Sequence, residues 1–389
     1  MLLNTLFMMT IINILFPVIG LIFFFYLFVF YFEKTFYRKI FVYNIFYSIS
    51  YLAYLYIDIK GRGDVTRYIL YNEKYSQFTS LLEMFKNTKF LLTYLWSFMN
   101  YIINKLDINF QIISFISIFI ILYCTYKNIE LSGKNIKINK VLLIKFFMLF
   151  SLSILFSTYR NLLSFSLTAT GIFWDMKKNK KGIFIIFLGM GIHLSSFPII
   201  LIYLLSKKIK FKIKYLYISC LLILLTRLKV IEQVLYIKSS NAIIKKFNYY
   251  IWSKWSEYRI NSEGDYITYY LLFIMILLLV FSFIKIYKSE IKNNIFYKKY
   301  NNFIFLYLTI FMFFLPYRTF AIRLFITGFP FFIPLFYQML LFYKKYSIYK
   351  VIFYYFLIDL RWFFIFFLTY FKIGQGFPIN ILSNILQAL

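Results

Sequence analysis

Long apolar runs separated by short lysine clusters set the pattern of this chain. The runs cover roughly residues 7–31, 40–57, 108–126, 141–157, 161–176, 183–206, 213–227, 266–287, 302–317, 319–343 and 350–371. A hydrocarbon layer takes about 20 apolar residues per crossing helix, and in an unclosed pattern only a helix satisfies its own backbone there. The pattern therefore predicts an all-α polytopic integral membrane protein. It would have about 10 full transmembrane helices in one domain spanning residues 1–389. The run 183–206 stands apart. Lysines flank it on both sides, KKNKK at 177–181 and KKIKFKIK at 207–214. It is too short for two full crossings, so it predicts a re-entrant or broken helical hairpin with His193 near the tip.

The basic segments then set orientation, because short loops rich in lysine and arginine face the cytoplasm. EKTFYRK (33–39), KNIELSGKNIKINK (127–140), KKNKK, KKIKFKIK, KSEIKNNIFYKK (288–299) and KKYSIYK (344–350) are such segments. Lys178 and Lys210 are expected inside, and His193 is expected to be reached from outside. Both termini then face outward, provided that Thr88–Asn104 lies in the outer interface or dips partway. Counting that segment and the hairpin as full crossings is the alternative. Two outer loops follow, 58–88 and 228–265. The N-terminus has no charged n-region and no small-residue cleavage site, so it is expected to be the first span. The implied placement is multi-pass in a cytoplasmic membrane, with the candidate residues facing outside.

Composition changes this picture little. Hydrophobic residues make up 62% of the 389, and only 14 residues are acidic. The net charge of +30 raises nucleic acid as a partner. The lysines punctuate apolar runs instead of covering a folded surface, so they are read as topology signals facing anionic lipid. No nucleic acid is expected. Cys124 and Cys220 both lie in apolar runs, which argues against a disulfide framework or a thiolate metal site. No Walker A, HExxH or CxxC pattern occurs, and the acidic residues are too scattered for a divalent-metal cage. No metal and no cofactor are expected.

The arginines are distributed differently from the lysines. Arg62, Arg67, Arg160, Arg227, Arg259 and Arg318 map to the outer side, with Arg323 somewhat deeper. Arg38 is the inner exception, and Arg361 lies mid-span beside Asp359. A guanidinium binds phosphate oxygens through a planar fork and keeps its charge. Such a cluster suits an anionic, phosphate-bearing ligand.

Four local motifs carry candidate chemistry. Gly61-Arg62-Gly63-Asp64, with Arg67 and Tyr68, is a turn that presents an acid. Asp64 is either a general base toward a sugar hydroxyl or the partner of Arg62 or Arg67 in a polar turn. Tyr159-Arg160-Asn161 heads an apolar helix bearing Ser164, Ser166, Thr168 and Thr170. There the alternatives are a phosphate site and simple snorkelling. His193-Leu194-Ser195-Ser196 follows Gly189 and Gly191 and precedes Pro198. A lone histidine is commonly a structural hydrogen-bonder, but this one sits at an expected break. Arg318 and Arg323, around the turn after Pro316, are either two halves of a pyrophosphate site or a basic outer turn. Asp359 and Arg361 are read as structural. Trp252, Trp255, Tyr249, Tyr250 and Tyr258 fit an interfacial aromatic belt or a sugar-stacking surface.

In order and spacing, Gly63-Asp64 with Tyr68, then Arg160, then His193 with Ser195 and Ser196, then Arg318 or Arg323, resemble the EpsG-type, Wzy-like bacterial polysaccharide polymerases. Asn161 departs from that pattern, which often has glutamine there. Val65-Thr66 departs where an aromatic commonly follows the aspartate. The resemblance implies a fold like the GT-C glycosyltransferases and the joining of oligosaccharide repeat units carried on undecaprenyl pyrophosphate. It implies pyrophosphate binding by Arg160, Arg318, Arg323 and Arg67, with His193 or Asp64 catalytic and Tyr159, Asn161, Ser195 and Ser196 in support. The implied partners are the lipid-linked oligosaccharide, the lipid bilayer and a chain-length regulator. Two other functions compete. One is a GT-C glycosyltransferase adding one sugar from a polyprenyl-phosphate donor. The other is a flippase for lipid-linked oligosaccharide, which needs charged groups along a path; here they crowd one face.

Overall fold

A computed structural model describes residues 2–32, 35–56, 64–87, 93–149, 155–156, 158–209, 294–313, 324 and 328–346. Its regular elements are all helical among these residues. They fall into two compact units, one up to Phe197 and one from Pro198 onward. The first unit contains α1 (Leu2–Leu15), α2 (Pro17–Tyr31), α3 (Thr35–Tyr56), α4 (Asp64–Ser76), α5 (Leu81–Asn87), α6 (Tyr94–Lys105), α7 (Gln111–Ser132), α8 (Ile136–Leu149), α9 (Tyr159–Met176) and α10 (Lys181–Ile192). Helix α11 (Ser196–Lys208) begins at the unit boundary, and α12 (Ile295–Phe313) and α13 (Phe329–Tyr346) lie in the second unit.

The expectation of about ten full crossings does not stand. Among the described residues one helix, α7, is long and apolar enough to cross a membrane by length and composition. With it falls the multi-pass placement in a cytoplasmic membrane, which rested on that count. The physical reason is that apolar runs are not continuous helices. The run 7–31 breaks at Phe16, whose φ of −130° and ψ of 74° are not helical, and Pro17 then opens α2 with no N–H to donate. Two helices of 14 and 15 residues replace one long span. The run 183–206 likewise divides into α10, of 12 residues, and α11, of 13. Helix α3 matches α7 in length but carries Arg38, Lys39, Asn44 and several tyrosines. The expected spans 213–227, 266–287 and 350–371, part of 319–343 and the outer loop 228–265 lie outside the described residues.

Polar side chains pin the first helices. Asn13 donates through Nδ2 to the Asn44 carbonyl at 3.1 Å, and Ser48 donates to Asn13 Oδ1 at 2.7 Å, all three being buried. Satisfied buried polar contacts of this kind set register as well as stability. Helix α3 then packs on α7, and α7 on α9. The most extensive helix pair is α9 with α10, and glycine makes it possible. A Cβ on Gly171 would lie 2.7 Å from the Gly182 carbonyl oxygen, and one on Gly182 would lie 2.5 Å from the Gly171 oxygen. The segment 88–104 contributes α6, which buries Trp96, Ser97, Asn100 and Tyr101 and packs on α4 and α10.

Helix α5 starts with a capping box. Ser80 Oγ accepts from the Glu83 amide at 3.1 Å, while Glu83 Oε2 accepts from the Thr79 amide at 2.8 Å and hydroxyl at 2.6 Å. The Thr79 hydrogen bonds hold the Glu83 carboxyl below its ordinary value. A depressed carboxyl pKa adds stability that is fully present above the unfolded-state value and is lost as pH falls through the folded one. The α5 cap should therefore persist at pH 5 and open only below the usual glutamate range. Titration of the Thr79 amide resonance checks this: its midpoint should be lower than that of a free glutamate and should vanish in Glu83→Gln.

In the second unit Pro334 interrupts the α13 ladder, since proline removes a donor inside a helix. Tyr300 from α12 fills the neighbouring gap. Its hydroxyl donates to the Phe331 carbonyl at 2.8 Å and accepts from the Leu335 amide at 3.1 Å. These are the two groups that an unbroken ladder would join. Tyr300→Phe leaves both buried and unsatisfied, at about 1–3 kcal/mol each. Denaturant unfolding should show the loss as a lower midpoint.

Candidate functional site

Arg160 is the second residue of α9, at the helix's N-terminal end. A cation there gains nothing from its own helix dipole, which favours anions at that end. It is held instead by the opposite end of another helix. Arg160 Nε donates to the Ile192 carbonyl, the last residue of α10, at 3.2 Å. The last carbonyls of a helix lack intrahelical partners and carry partial negative charge. This bond fixes the plane of the guanidinium.

Two aromatic rings flank it, and a third packs against them. The guanidinium carbon lies 4.8 Å from the Trp96 ring centroid and 5.8 Å from that of Tyr68, both within cation–π range. Tyr159 packs edge-on against Tyr68 at 5.3 Å and tilted against Trp96 at 6.0 Å. Helices α4, α6 and α9 each supply at least one ring. Arg160 is left 8% exposed. Burial also pushes the Tyr159 phenol well up, so it stays protonated.

His193 adjoins this cluster through the chain itself. It is the residue after Ile192, with extended backbone at φ −153° and ψ 132°. Ser164 Oγ, one turn along α9 from Arg160, reaches the Gly189 carbonyl at 2.8 Å and the His193 carbonyl at 3.2 Å. The Ser196 hydroxyl donates to the His193 carbonyl at 3.0 Å. The imidazole Nδ1 lies 2.6 Å from Ser195 Oγ and accepts from the Ser195 amide at 3.1 Å. Tyr94 steadies α10 from α6 by donating to the Phe187 carbonyl at 2.9 Å.

Of the residues singled out from sequence, Arg160, Tyr159, His193, Ser195 and Ser196 lie around one helix end. Asn161 is buried beside them on α9. Asp64 is the first residue of α4, four positions before Tyr68. The side chains of Asp64 and Arg67, and all of Arg62, Arg318 and Arg323, lie outside the described residues. Trp96, Tyr94 and the glycine carbonyl at 189 were not singled out. Positions 96, 97, 100, 101 and 103, buried along one helix, carried the available signal, and an interfacial reading of the segment hid it. No group of three or more potential metal ligands occurs among the described residues. The cluster holds one permanent cation at the helix end that His193 follows, and an oriented cation of this kind suits charge that develops on phosphate oxygens.

The model of the EpsG family matches residues 59–380, which takes in every helix of this cluster. No curated protein and no solved structure matches the chain.

Proposed function

The chain belongs to the EpsG family, and we propose that it joins oligosaccharide repeat units carried on undecaprenyl pyrophosphate. Family membership places it, in general terms, among Wzy-like polysaccharide polymerases with glycosyl-transfer activity. In the proposed reaction a hydroxyl oxygen of the acceptor unit bonds to the donor's anomeric carbon. The bond from that carbon to the pyrophosphate oxygen breaks, and lipid pyrophosphate leaves with the electron pair. The hydroxyl proton passes to a base, for which Asp64 and His193 are the candidates. Arg160 stabilises the departing pyrophosphate, joined by Arg318, Arg323 and Arg67.

One observation carries this reading: Arg160 and His193, far apart in sequence, meet at the Ile192 end of α10. An arginine and a histidine drawn to one helix end suit a leaving group with two phosphates. The test is product length from purified protein and lipid-linked repeat units. A ladder of multiple repeats supports polymerisation. A single added sugar from a polyprenyl-phosphate donor would assign the protein to the simpler glycosyltransferase reading.

The chain has 14 acidic residues against 44 lysines and arginines, so arginine is the expected charge neutraliser. Polymerisation should continue in EDTA within about twofold, well short of the several kcal/mol that a lost Lewis acid costs. A strict Mg²⁺ requirement would transfer the role from arginine to metal.

A further inference from the structure

Helices α2, α3, α7 and α8 wall a cavity of about 530 Å³, inside the range of about 300–1,000 Å³ usual for small-molecule sites. Leu21 and Val29 come from α2, Ile45 and Ile49 from α3, Leu122 from α7 and Phe146 from α8. Every lining side chain is aliphatic or aromatic, and the cavity is a groove open along one side. Its rim is apolar as well, with Ile22 and Phe30 largely exposed. Exposed apolar surface of this extent marks a binding site. We propose that the groove holds the first isoprenoid units of a polyprenyl pyrophosphate whose phosphates lie at Arg160.

The occupant follows from where the groove leads. Lys177, just past α9, donates to the Leu131 carbonyl near the end of α7 at 2.6 Å, and one stretch earlier Cys124 hydrogen-bonds Thr170. Helices α7 and α9 therefore run parallel. The ring pairs Tyr43–Tyr126, at 6.4 Å, and Tyr47–Phe115, at 5.8 Å, set α3 antiparallel to α7. Going from Ile45 to Ile49 is then going toward the end of the bundle where α9 starts with Tyr159 and Arg160. Leu155, also on the groove wall, comes five residues before Arg160, a separation that a chain spans in at most about 18 Å. Val29, near the α2–α3 connection, marks the other end, where the Lys140 ammonium donates to its carbonyl. An apolar chain ending in two phosphates fits both parts. The chain removes apolar surface from water along the wall, and the phosphates meet a guanidinium oriented by the Ile192 carbonyl. A neutral hydrocarbon would gain nothing from the arginine, and a soluble sugar phosphate would gain nothing from the groove.

This inference rests on the glycosyl-transfer reading above, and binding measurements separate the two. The full-length protein is titrated with undecaprenyl pyrophosphate and with inorganic pyrophosphate, without an acceptor. Ile22→Gln and Phe25→Gln alter exposed groove residues, so the fold should persist. Each should weaken undecaprenyl pyrophosphate about tenfold, roughly the effect of two buried methylenes, and leave inorganic pyrophosphate unchanged. Arg160→Lys should weaken both ligands by the same factor. Ile183→Gln, exposed on α10 away from the groove, should change neither. Undecaprenyl pyrophosphate carrying a benzophenone near the pyrophosphate end of its tail should crosslink to the groove helices, and excess phosphatidylglycerol should not displace it. Groove variants that bind undecaprenyl pyrophosphate as tightly as wild type, or crosslinks confined to other segments, would overturn the proposal. Equal competition by phosphatidylglycerol would make the groove a seat for bulk lipid and overturn it too. If Arg160→Lys changes neither ligand, the phosphates lie elsewhere and the placement fails. Weakened lipid binding in both groove variants, with no polymer made by the wild type, would uphold the groove and remove the polymerase reading.

Discussion

Arg160→Lys should cost at least about 100-fold in polymer formation while leaving a folded protein, because one oriented donor to developing charge is worth 10²–10³. Lysine keeps the charge and can still lie over an aromatic ring. It has no Nε–H in a planar fork, so it cannot bond to the Ile192 carbonyl and offer further donors in the same plane. The Nε bond at 3.2 Å is a charge-assisted one, worth about 1.5–3 kcal/mol. Part of that returns as lost stability, measurable as a lower melting temperature. The larger loss is geometric, because a cation free to move is a poor partner for a phosphate in one position. Arg38→Lys is the control. Arg38 lies over the Phe32 ring at 5.5 Å, a contact that lysine keeps, and polymer length should be unchanged. Full-length polymer from Arg160→Lys would reduce the arginine to a helix cap.

Gly182→Ala should be nearly as damaging from farther away. Its new methyl carbon would sit 2.5 Å from the Gly171 carbonyl oxygen and 2.6 Å from the Asp175 amide nitrogen. Both are backbone atoms of α9 and cannot rotate aside. Helices α9 and α10 must separate, at about 1–3 kcal/mol for overpacking a close seam. The same two helices carry Arg160 and the Ile192 carbonyl. A misplacement near 1 Å at a charge-stabilising contact costs about 10²-fold in rate. Melting temperature and polymer yield should therefore fall together. Ile183→Ala, on the exposed side of α10, changes neither by much, within about 0.5 kcal/mol for a surface site. If Gly182→Ala melts lower yet polymerises normally, the seam does not set the site.

Some of this was legible in the amino-acid pattern. The glycines at 189 and 191 and the proline at 198 bracket His193, and the chain does leave helical conformation there. Arg160 stood out as an arginine heading a helix with a polar stripe. Other parts were not legible, for physical reasons. Hydropathy averages over a window and passes through Phe16–Pro17, where a single non-helical residue ends a helix. The number of spans was overcounted in this way. The Trp96 cage depends on three helices meeting, and local periodicity carries no information about which buried ring faces which cation. The Ile192 carbonyl could not be foreseen either, since backbone oxygens have no identity in a sequence.

The Tyr300 hydroxyl between Phe331 and Leu335 has a consequence for how the second unit assembles. Helix α13 contains a rung that its own backbone does not close. Completing it requires α12 to be present, so α13 cannot mature as an autonomous segment. The two helices should behave as one foldon. Amide exchange around Leu335 should then follow the opening of α12 and not the fraying of α13 from its ends. A loss of α12 docking would be felt first at the proline break, in the middle of its neighbour.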